Sequence, residues 1–486
     1  MQKNYKEIGY QYTLDVCEAI SLYTSKICKF DKQAFRYRGS DLRYAVERCL
    51  YIQCINSKKL FKKYLENRKN SQSLKSIKLK SYEKDIYNLI FDKSKFKIKN
   101  RFKFLITILK KFLHIYRLII TSRKIKKTAF LPKNQVVFNV SNIKFINYVK
   151  PILKYLDKNS YCFQVGSDNN LSEDIEDLGY TVLEIKKNYN YIRHFFVSKF
   201  LADFLELLKD FDNNFYSLNI NNVKSVVTFE GNAPQDIIIL EVAKKLNIPC
   251  YCIQQGWSPY IHNGFRNMDY TEYFIWGKEF KKQLKRFNPN QKFTVSGSPY
   301  LKRSSSLEKI KKINSLSFFL QPVCPFMNQK AFDKFIKLIM ICSNSFPDIK
   351  IIVKEHPSSN LKKELKERFI QKKNIIFYGS NSQILNQILE STDISLSVFS
   401  SVILESINKN KLPIICNFGS IPNYLPYIVE KKCAIEIFSI NEALEIIKTL
   451  INSPEKLMKY QKNIYKIKSN LFSQKNASKF LSSKIK

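Results

Sequence analysis

Four short segments of this chain combine residue types that can handle a phosphate, a proton or a sugar. The first is Lys354-Glu355-His356-Pro357-Ser358-Ser359, which closes a strongly apolar run. A strand ending there places His356 at a carboxyl edge, where open α/β sheets bind ligands. Pro357 fixes the backbone and biases His356 toward an extended conformation. An imidazole N–H held in that way can donate to a phosphate or a ribose, and can stabilise a leaving phosphate as its charge develops. A histidine satisfied inside the fold is the competing reading.

The second segment runs from the strand-like Ile394–Ser397 into Ser400 and Ser401, then into an apolar helical stretch with Glu405 one turn on. Free backbone N–H groups at a helix start attract anions, and serine hydroxyls add donors. Glu405 can accept both hydroxyls of a ribose. Either serine also serves as an ordinary N-cap, and the two roles are compatible.

The third segment is Thr228-Phe229-Glu230-Gly231-Asn232, followed by Pro234 and Asp236. It too leaves a strand and enters a helix. A carboxylate at Glu230 can take the proton of an acceptor hydroxyl, or can simply pair with surface lysines. Gly231 permits close backbone approach. Asp236 is the rival base, although a first-turn carboxylate is explained by the helix dipole alone. The fourth segment is Gln254-Gln255-Gly256-Trp257, whose amides and ring suit sugar recognition at a cleft lip as well as an ordinary strand-to-loop turn. Gly297 and Ser298 mark a further turn whose backbone N–H groups can approach a phosphate.

Regular elements must hold these segments. From about residue 134 the chain alternates strand-like and helical runs, with strands expected near 136–140, 161–165, 181–185, 223–229, 250–253 and 273–276. A second series follows Pro299, with strands near 315–320, 349–353, 374–378, 394–397 and 412–416, and helices over 441–470 finish the chain. Such alternation predicts parallel sheets covered on both faces. The organisation expected is a helical region 1–130, a Rossmann-like unit 131–300, a hinge 301–314 and a second Rossmann-like unit 315–486. A ligand belongs in the cleft between the two sheets. Residues 97–127 are apolar and aromatic with purely basic charges, which suits a helix lying on an anionic membrane surface and equally a packed helix with a solvated lysine face.

Composition narrows the classes. At 486 residues and 44% hydrophobic content the chain can fill more than one core. Its 82 Lys+Arg against 41 Asp+Glu give a formal charge of +41, so it seeks anions. The lysines are scattered, and no zinc-finger, RNA-recognition or basic-zipper pattern accompanies them, so nucleic acid is not the expected partner. Abundant Lys, Ile and Asn throughout point to codon bias as a second source of the charge. The 11 cysteines form no C-x-x-C pair and read as buried free thiols of a reducing compartment. Asp210 and Asp212 have the Asp-x-Asp spacing but are expected in a helix-to-loop region away from the cleft strands, so no metal and no resident cofactor are expected. No run reaches about 18 uncharged apolar residues, and the N-terminus has no signal-peptide core.

The ordered string Phe229-Glu230-Gly231, Gln254-Gln255-Gly256, Trp276-Gly277, Gly297-Ser298-Pro299, His356-Pro357, Ser400-Ser401 and Glu405 resembles the GT-B glycosyltransferases that build bacterial capsule and O-antigen polysaccharides. Kdo transferases, bacterial sialyl- and polysialyltransferases and CDP-glycerol glycerophosphotransferases are among them. The resemblance covers about residues 134–470. It implies a GT-B fold, with Glu230 as base, His356 at the nucleotide and Ser400 with Ser401 at its phosphate. Phe229 stands where the sialyltransferases have a second acidic residue, and Gln255 where many relatives have histidine. Ser397-Val398-Phe399 replaces the Asp that glycerophosphotransferases carry before their serine pair. The implied enzyme is inverting and metal-independent. It would use a nucleotide sugar, with CMP-Kdo or CMP-sialic acid first, and a polysaccharide or lipid-linked acceptor, and would work in the cytoplasm against the inner membrane. A glycerophosphotransferase, a nucleotide-sugar epimerase, and a non-catalytic basic nucleic-acid or lipid-binding protein are the alternatives.

Overall fold

The computed structural model describes residues 2–55, 135–141, 143–165, 169–183, 201–257, 263–301, 312–323, 327–357, 361–380, 385–398, 400–418, 426–473 and 476–486. The basic segment 97–127, most of the expected hinge, and Ser358 and Ser359 lie outside the described residues.

The chain opens with α1 (Gln2–Phe30), a two-stranded antiparallel ribbon of β1 (Arg36–Tyr37) and β2 (Ser40–Asp41), and α2 (Arg43–Ile55). Arg38 and Gly39, both at positive φ, form the tight turn that right-handed strand twist favours.

The first α/β unit contains β3 (Val136–Val140), α3 (Lys144–Leu153), β4 (Tyr161–Val165), α4 (Asn169–Asp177), β5 (Val182–Leu183), α5 (Leu201–Ile220) and β6 (Ser225–Phe229). It continues with α6 (Pro234–Lys245), β7 (Cys250–Ile253), β8 (Glu272–Ile275), α7 (Lys278–Lys285) and β9 (Phe293–Val295). The strands pair in parallel, in the order β5-β4-β3-β6-β7-β8-β9. β4 and β6 are buried along their whole length, and β3 at all but the half-buried Asn139, as strands covered on both faces must be, and their sequences are accordingly almost continuously apolar.

The second unit holds β10 (Ser315–Phe319), α8 (Gln329–Ser345), β11 (Lys350–Lys354), α9 (Lys363–Ile370), β12 (Ile375–Tyr378), α10 (Leu385–Glu390) and β13 (Ile394–Ser397). Then come α11 (Val402–Asn408), β14 (Leu412–Cys416), α12 (Pro426–Glu430), β15 (Ile435–Ile437) and α13 (Ile440–Asn452). Its six strands are also parallel, in the order β12-β11-β10-β13-β14-β15. β10 carries serines in the core that need partners: Ser317 meets the Thr392 hydroxyl at 2.6 Å and Ser315 donates to the Ser391 carbonyl at 2.7 Å, whereas the buried Ser395 hydroxyl of β13 has none among the described residues. Asn328 caps α8 through the Ala331 N–H and Ser439 caps α13 through the Glu442 N–H. β9, β15 and the small ribbon had no expectation from sequence, being too short for a periodic signal.

Two helices close the chain. α14 (Pro454–Leu471) packs on α11, α13 and β14 of the second unit and on α7 of the first. α15 (Ala477–Ile485) was expected with the second unit, but packs on the first: Leu481 and Ile485 join the core around Val136 and Phe138, and Ser225 donates to the Ile485 carbonyl at 2.7 Å. The crossing is tight at Gly277, where any Cβ would collide with the Asn470 and Leu471 backbone. Trp276, fully buried beside Phe472 and Phe280, anchors it. Its replacement by Ala should cost about 3–5 kcal/mol.

The N-terminal helices are docked rather than free. The Tyr37 hydroxyl donates to Asp212 at 2.6 Å, and Arg38 pairs with the same buried carboxylate at 2.6 Å. Asp210 and Asp212 therefore lie inside helix α5, not at a helix-to-loop junction, and Asp212 is taken up by the N-terminal ribbon. α2 in turn lies along α6.

Candidate functional site

Parallel pairing aligns the strand ends that bear the motifs. In the first unit Phe229 is level with Ile253, and Ile253 with Phe274, so Glu230 and Gln254 leave the sheet side by side. In the second, Phe319 is level with both Lys354 and Ser397. His356 and Ser400 thus leave the same carboxyl edge, on either side of β10.

Glu230 is the most constrained of the predicted residues. Its φ is 61° and that of Gly231 is 66°. A non-glycine residue in the left-handed region costs about 1–2 kcal/mol, and such strain is characteristic of sites where geometry matters. Neighbours enforce the turn. The Glu230 N–H donates to the Ile253 carbonyl at 3.0 Å, and its own carbonyl accepts from the Tyr273 hydroxyl at 2.8 Å. Two glycines make room. A Cβ on Gly231 would lie 2.8 Å from Cys252 Sγ and 2.9 Å from the Tyr270 ring, and a Cβ on Gly256 would lie 2.9 Å from Glu230 Oε1. The carboxylate therefore rests over the bare backbone of Gly256.

Asp236 Oδ2 accepts from the Ala233 N–H at 3.0 Å and closes the first turn of α6. It is more than the dipole partner the sequence implied. Burial, and next the charge of Glu230, push its carboxyl up to about 7, against the pull of the Ala233 N–H and Arg48. Two carboxyl groups so close compete for one charge.

The second unit supplies Glu405, which is 7% exposed. Burial pushes it up to about 7, opposed by a 3.4 Å bond from the Ser401 hydroxyl. Ser400 Oγ accepts from the Val402 N–H at 3.2 Å, so Ser400 is the side-chain cap of α11. Two tyrosines that sequence reading missed connect Glu405 to the first unit. Tyr148 of α3 and Tyr300 lie with ring centroids 4.2 Å apart. Burial raises both phenols, and both also feel the charges of Glu405 and Glu230. Gln255 donates to Tyr148, while Tyr300 donates to the Gln255 carbonyl at 2.8 Å and interacts with Ser298. The Gln255 Oε1 and the Trp257 Nε1 are buried and have no hydrogen-bond partner. Such orphans are uncommon in a finished core and mark places where a ligand's hydroxyl or a water can complete the bonding. A signal for Tyr300 was present beside the Gly297-Ser298-Pro299 turn. Tyr148 gave none, being one of two aromatics, with Phe145, on α3.

The structure thus brings together Glu230, Asp236, Gln255, Gly256, Ser298, Ser401 and Glu405, with Ser400 adjoining. Other expected residues are placed differently. The Gln254 side chain turns into the fold, accepting from the Trp276 N–H at 2.9 Å and donating to the Gly256 carbonyl at 3.0 Å, so it braces two loops. Trp257 has Phe280 at 4.9 Å against its ring. The Gly297 N–H already donates to the Ile275 carbonyl at 3.3 Å, which removes it as a phosphate donor. His356 is half-buried and Pro357 exposed. Both sit on the loop edge of the second sheet beside this cluster's strand ends. The two residues before His356 are structural. Lys354 Nζ donates to the carbonyls of Glu355 and Gly379 at 2.7 and 2.8 Å, and fully buried Glu355 accepts from the Leu361 and Ser380 N–H groups and pairs with Lys366 at 3.3 Å. Among the described residues no group of three or more His, Cys, Asp or Glu side chains could hold a metal ion, and no helix is long and apolar enough to cross a membrane.

No family model and no curated protein matches this chain. Solved structures do. The UDP-GlcNAc 2-epimerase of Neisseria meningitidis, solved bound to UDP-GlcNAc, aligns with a TM-score of 0.50 at 13% identity, over 72% of this chain and 99% of its own. The UDP-GlcNAc 2-epimerase of Methanocaldococcus jannaschii aligns at 0.49 and 16% identity over 73% and 99%. A glycotransferase of kitacinnamycin aligns at 0.49 and 10% identity over 73% and 99%. At these identities the likeness speaks for architecture alone: the chain has the GT-B fold, two Rossmann-like units with parallel sheets, preceded by a helical extension.

Proposed function

We propose that the protein is a glycosyltransferase that uses a nucleotide-activated sugar. The observation that carries this is the Glu230 turn: a carboxylate on a strained strand end, seated over Gly256, whose charge reaches Tyr148 and Tyr300 as that of Glu405 does. Two units with ligand-binding edges give the donor and the acceptor separate sides. The acceptor hydroxyl lies against the first unit, loses its proton to Glu230 and attacks the anomeric carbon. The carbon–oxygen bond to the donor phosphate breaks on the opposite face, which inverts the centre. Ser401, the start of α11 and His356 meet the charge of the leaving phosphate, and Glu405 accepts from the ribose. CMP-Kdo or CMP-sialic acid is the first donor to try. The reading needs no metal, since Asp212 of the Asp-x-Asp pair is committed to Tyr37 and Arg38. Chelation of divalent cations should leave turnover unchanged. A lipid-linked or polysaccharide acceptor and docking on an anionic membrane through residues 97–127 complete the proposal.

The test is release of free nucleotide from a panel of CMP-, UDP-, GDP- and CDP-activated donors by the full-length chain, with His356→Ala and Glu230→Gln beside it. Release from one donor that both variants abolish supports the reading. Release untouched by Glu230→Gln would sink the base assignment.

A second reading, nucleotide-sugar epimerisation, is favoured by one observation. Two carboxyl groups, Asp236 within reach of the Glu230 charge and Glu405, are each pushed to about 7, where a group can both take and give a proton. Incubation with UDP-GlcNAc alone separates the two. An epimerised sugar still joined to its nucleotide selects this reading, and free nucleotide selects the first.

A further inference from the structure

The N-terminal extension buries a cation against the segment that precedes Tyr270. Arg48 of α2 is 2% exposed. Its Nη1 donates to the Tyr44 carbonyl at 3.0 Å. Its Nη2 donates to the carbonyls of Gly264 and Arg266, at 3.0 and 3.3 Å, in the segment beyond Trp257. Nε has no hydrogen-bond partner. Burial lowers the pKa of the guanidinium, and Tyr270 and then Asp236 oppose that. A side chain needed only for packing would be apolar, since desolvating a charge is costly and a hydrophobe of similar volume avoids it.

Two of the groups whose charge reaches Arg48, Tyr270 and Asp236, support the turn. Asp236 feels the charge of Glu230 and closes the start of α6. The Tyr270 hydroxyl donates to the Gly231 carbonyl at 3.3 Å, and its ring bounds the space that Gly231 leaves open. The titratable groups that act on or are acted on by Asp236 are Glu230, Tyr270, Cys250, Cys252 and Arg48. Arg48 is the cation of that set. Glu47, its neighbour on α2, is engaged by Thr24 and Arg43.

We propose that Arg48 is a positioning residue through which the N-terminal extension, acting on Asp236 and Tyr270, holds the Glu230 turn in the geometry that presents its carboxylate to the cleft. The extension is then part of the first unit's proton-handling site. The inference rests on the reading of Glu230 as proton acceptor, and its test separates the two.

The test is a double-mutant cycle on the full-length chain, read by thermal unfolding at about pH 5.5 and about pH 8.5. These values lie on either side of about 7, the position of Asp236. A carboxyl raised above its unfolded value stabilises the fold at low pH and loses that contribution as pH rises through the folded value. Arg48 limits the loss. Arg48→Met should therefore lower the midpoint more at the higher pH, and this extra drop should vanish in an Asp236→Asn background. An equal drop at both pH values, or one indifferent to Asp236, means packing alone and overturns the proposal. If Arg48→Met does not fold, Arg48→Gln, which still donates to a carbonyl, takes its place under the same criteria. Where the wild type releases nucleotide, Arg48→Met should lower kcat about tenfold with donor KM unchanged. A change in KM alone counts against it. A pH-dependent coupling in a protein that cleaves no donor leaves Arg48 in this role and removes the transferase reading instead.

Discussion

The two sheets present their carboxyl edges to the cleft in opposite manners. The loop after β11 is built for stability. Lys354 is spent on three backbone carbonyls, and buried Glu355 holds two N–H groups and Lys366, so the charges beside His356 serve to fix loops. The turn after β6 is built against local preference. Glu230 sits at positive φ, and two glycines stand where side chains would crowd it. Charge in the loop after β11 is neutralised within the protein, whereas the turn after β6 holds a carboxylate in strain. A fold retains strain when the surroundings over-determine it, and here Tyr273, Tyr270 and Cys252 supply that constraint. On the proposed reading, the difference gives binding to one edge and proton transfer to the other.

The strongest way to break this contrast is Glu230→Gln. The substitution keeps shape and removes the proposed base. Donor turnover should fall about a thousandfold while the unfolding midpoint stays within about a degree of wild type. Turnover within a few-fold of wild type would show that the strained turn serves the fold and not the reaction.

Glu355→Ala probes the other edge. It strips three partners from one buried carboxylate and leaves two N–H groups and Lys366 unmet, at a cost of about 3 kcal/mol. Here the effect should appear in denaturant midpoints, and nucleotide affinity should weaken as the His356 loop loosens. Full stability with lost affinity would mean that Glu355 itself touches the donor.

The architecture was legible because parallel sheets write themselves as apolar runs between helices. Val136–Val140, Ser225–Phe229 and Leu412–Cys416 all fell where periodicity put them. The Glu230, Ser400-Ser401 and Glu405 motifs could be located because each leaves a strand. What the side chains do there was less legible. Whether Gln254 or Gln255 faces the cleft depends on the twist of one loop, and a string of two glutamines carries no such information. Tyr148 and Tyr300 meet only because α3 packs beside the strand end that carries the Gly297 turn, a long-range juxtaposition. Arg48 lay in a stretch where no chemistry was nameable, since a buried arginine and a surface arginine look alike in sequence. The path of α15 back to the first unit was hidden for the same reason: Leu481 and Ile485 would suit either core.

Glu405 sharpens the contrast through pH. Its carboxyl, pushed by burial to about 7, stabilises the fold while protonated and loses that contribution as pH rises from its ordinary range near 4.5 through about 7. Glu405→Gln should leave stability near pH 5 little changed and raise it near pH 8 by about 1–3 kcal/mol relative to wild type. Asp236 titrates over the same range, so the comparison is made between Glu405→Gln and wild type, not from one profile. Identical profiles would place Glu405 in a wetter setting than its 7% exposure implies.

The smallest effect is the most discriminating, and it comes from two glycines. Gly231→Ala pushes a Cβ to 2.8 Å from Cys252 Sγ and 2.9 Å from the buried Tyr270 ring, at a φ that alanine resists. Nothing there can yield cheaply, so stability should drop by about 2–3 kcal/mol. Gly256→Ala meets only Glu230 Oε1, at 2.9 Å. That atom ends a flexible side chain, which can swing a few tenths of an ångström without disturbing the backbone. The unfolding free energy should change by less than about 1 kcal/mol. Turnover should nevertheless fall about tenfold with donor KM unchanged, because a displaced base loses alignment with the acceptor hydroxyl. If Gly256→Ala is silent in kcat while Gly231→Ala unfolds the protein as expected, the glycines serve only to let the chain turn, and the carboxylate above Gly256 has no part in catalysis.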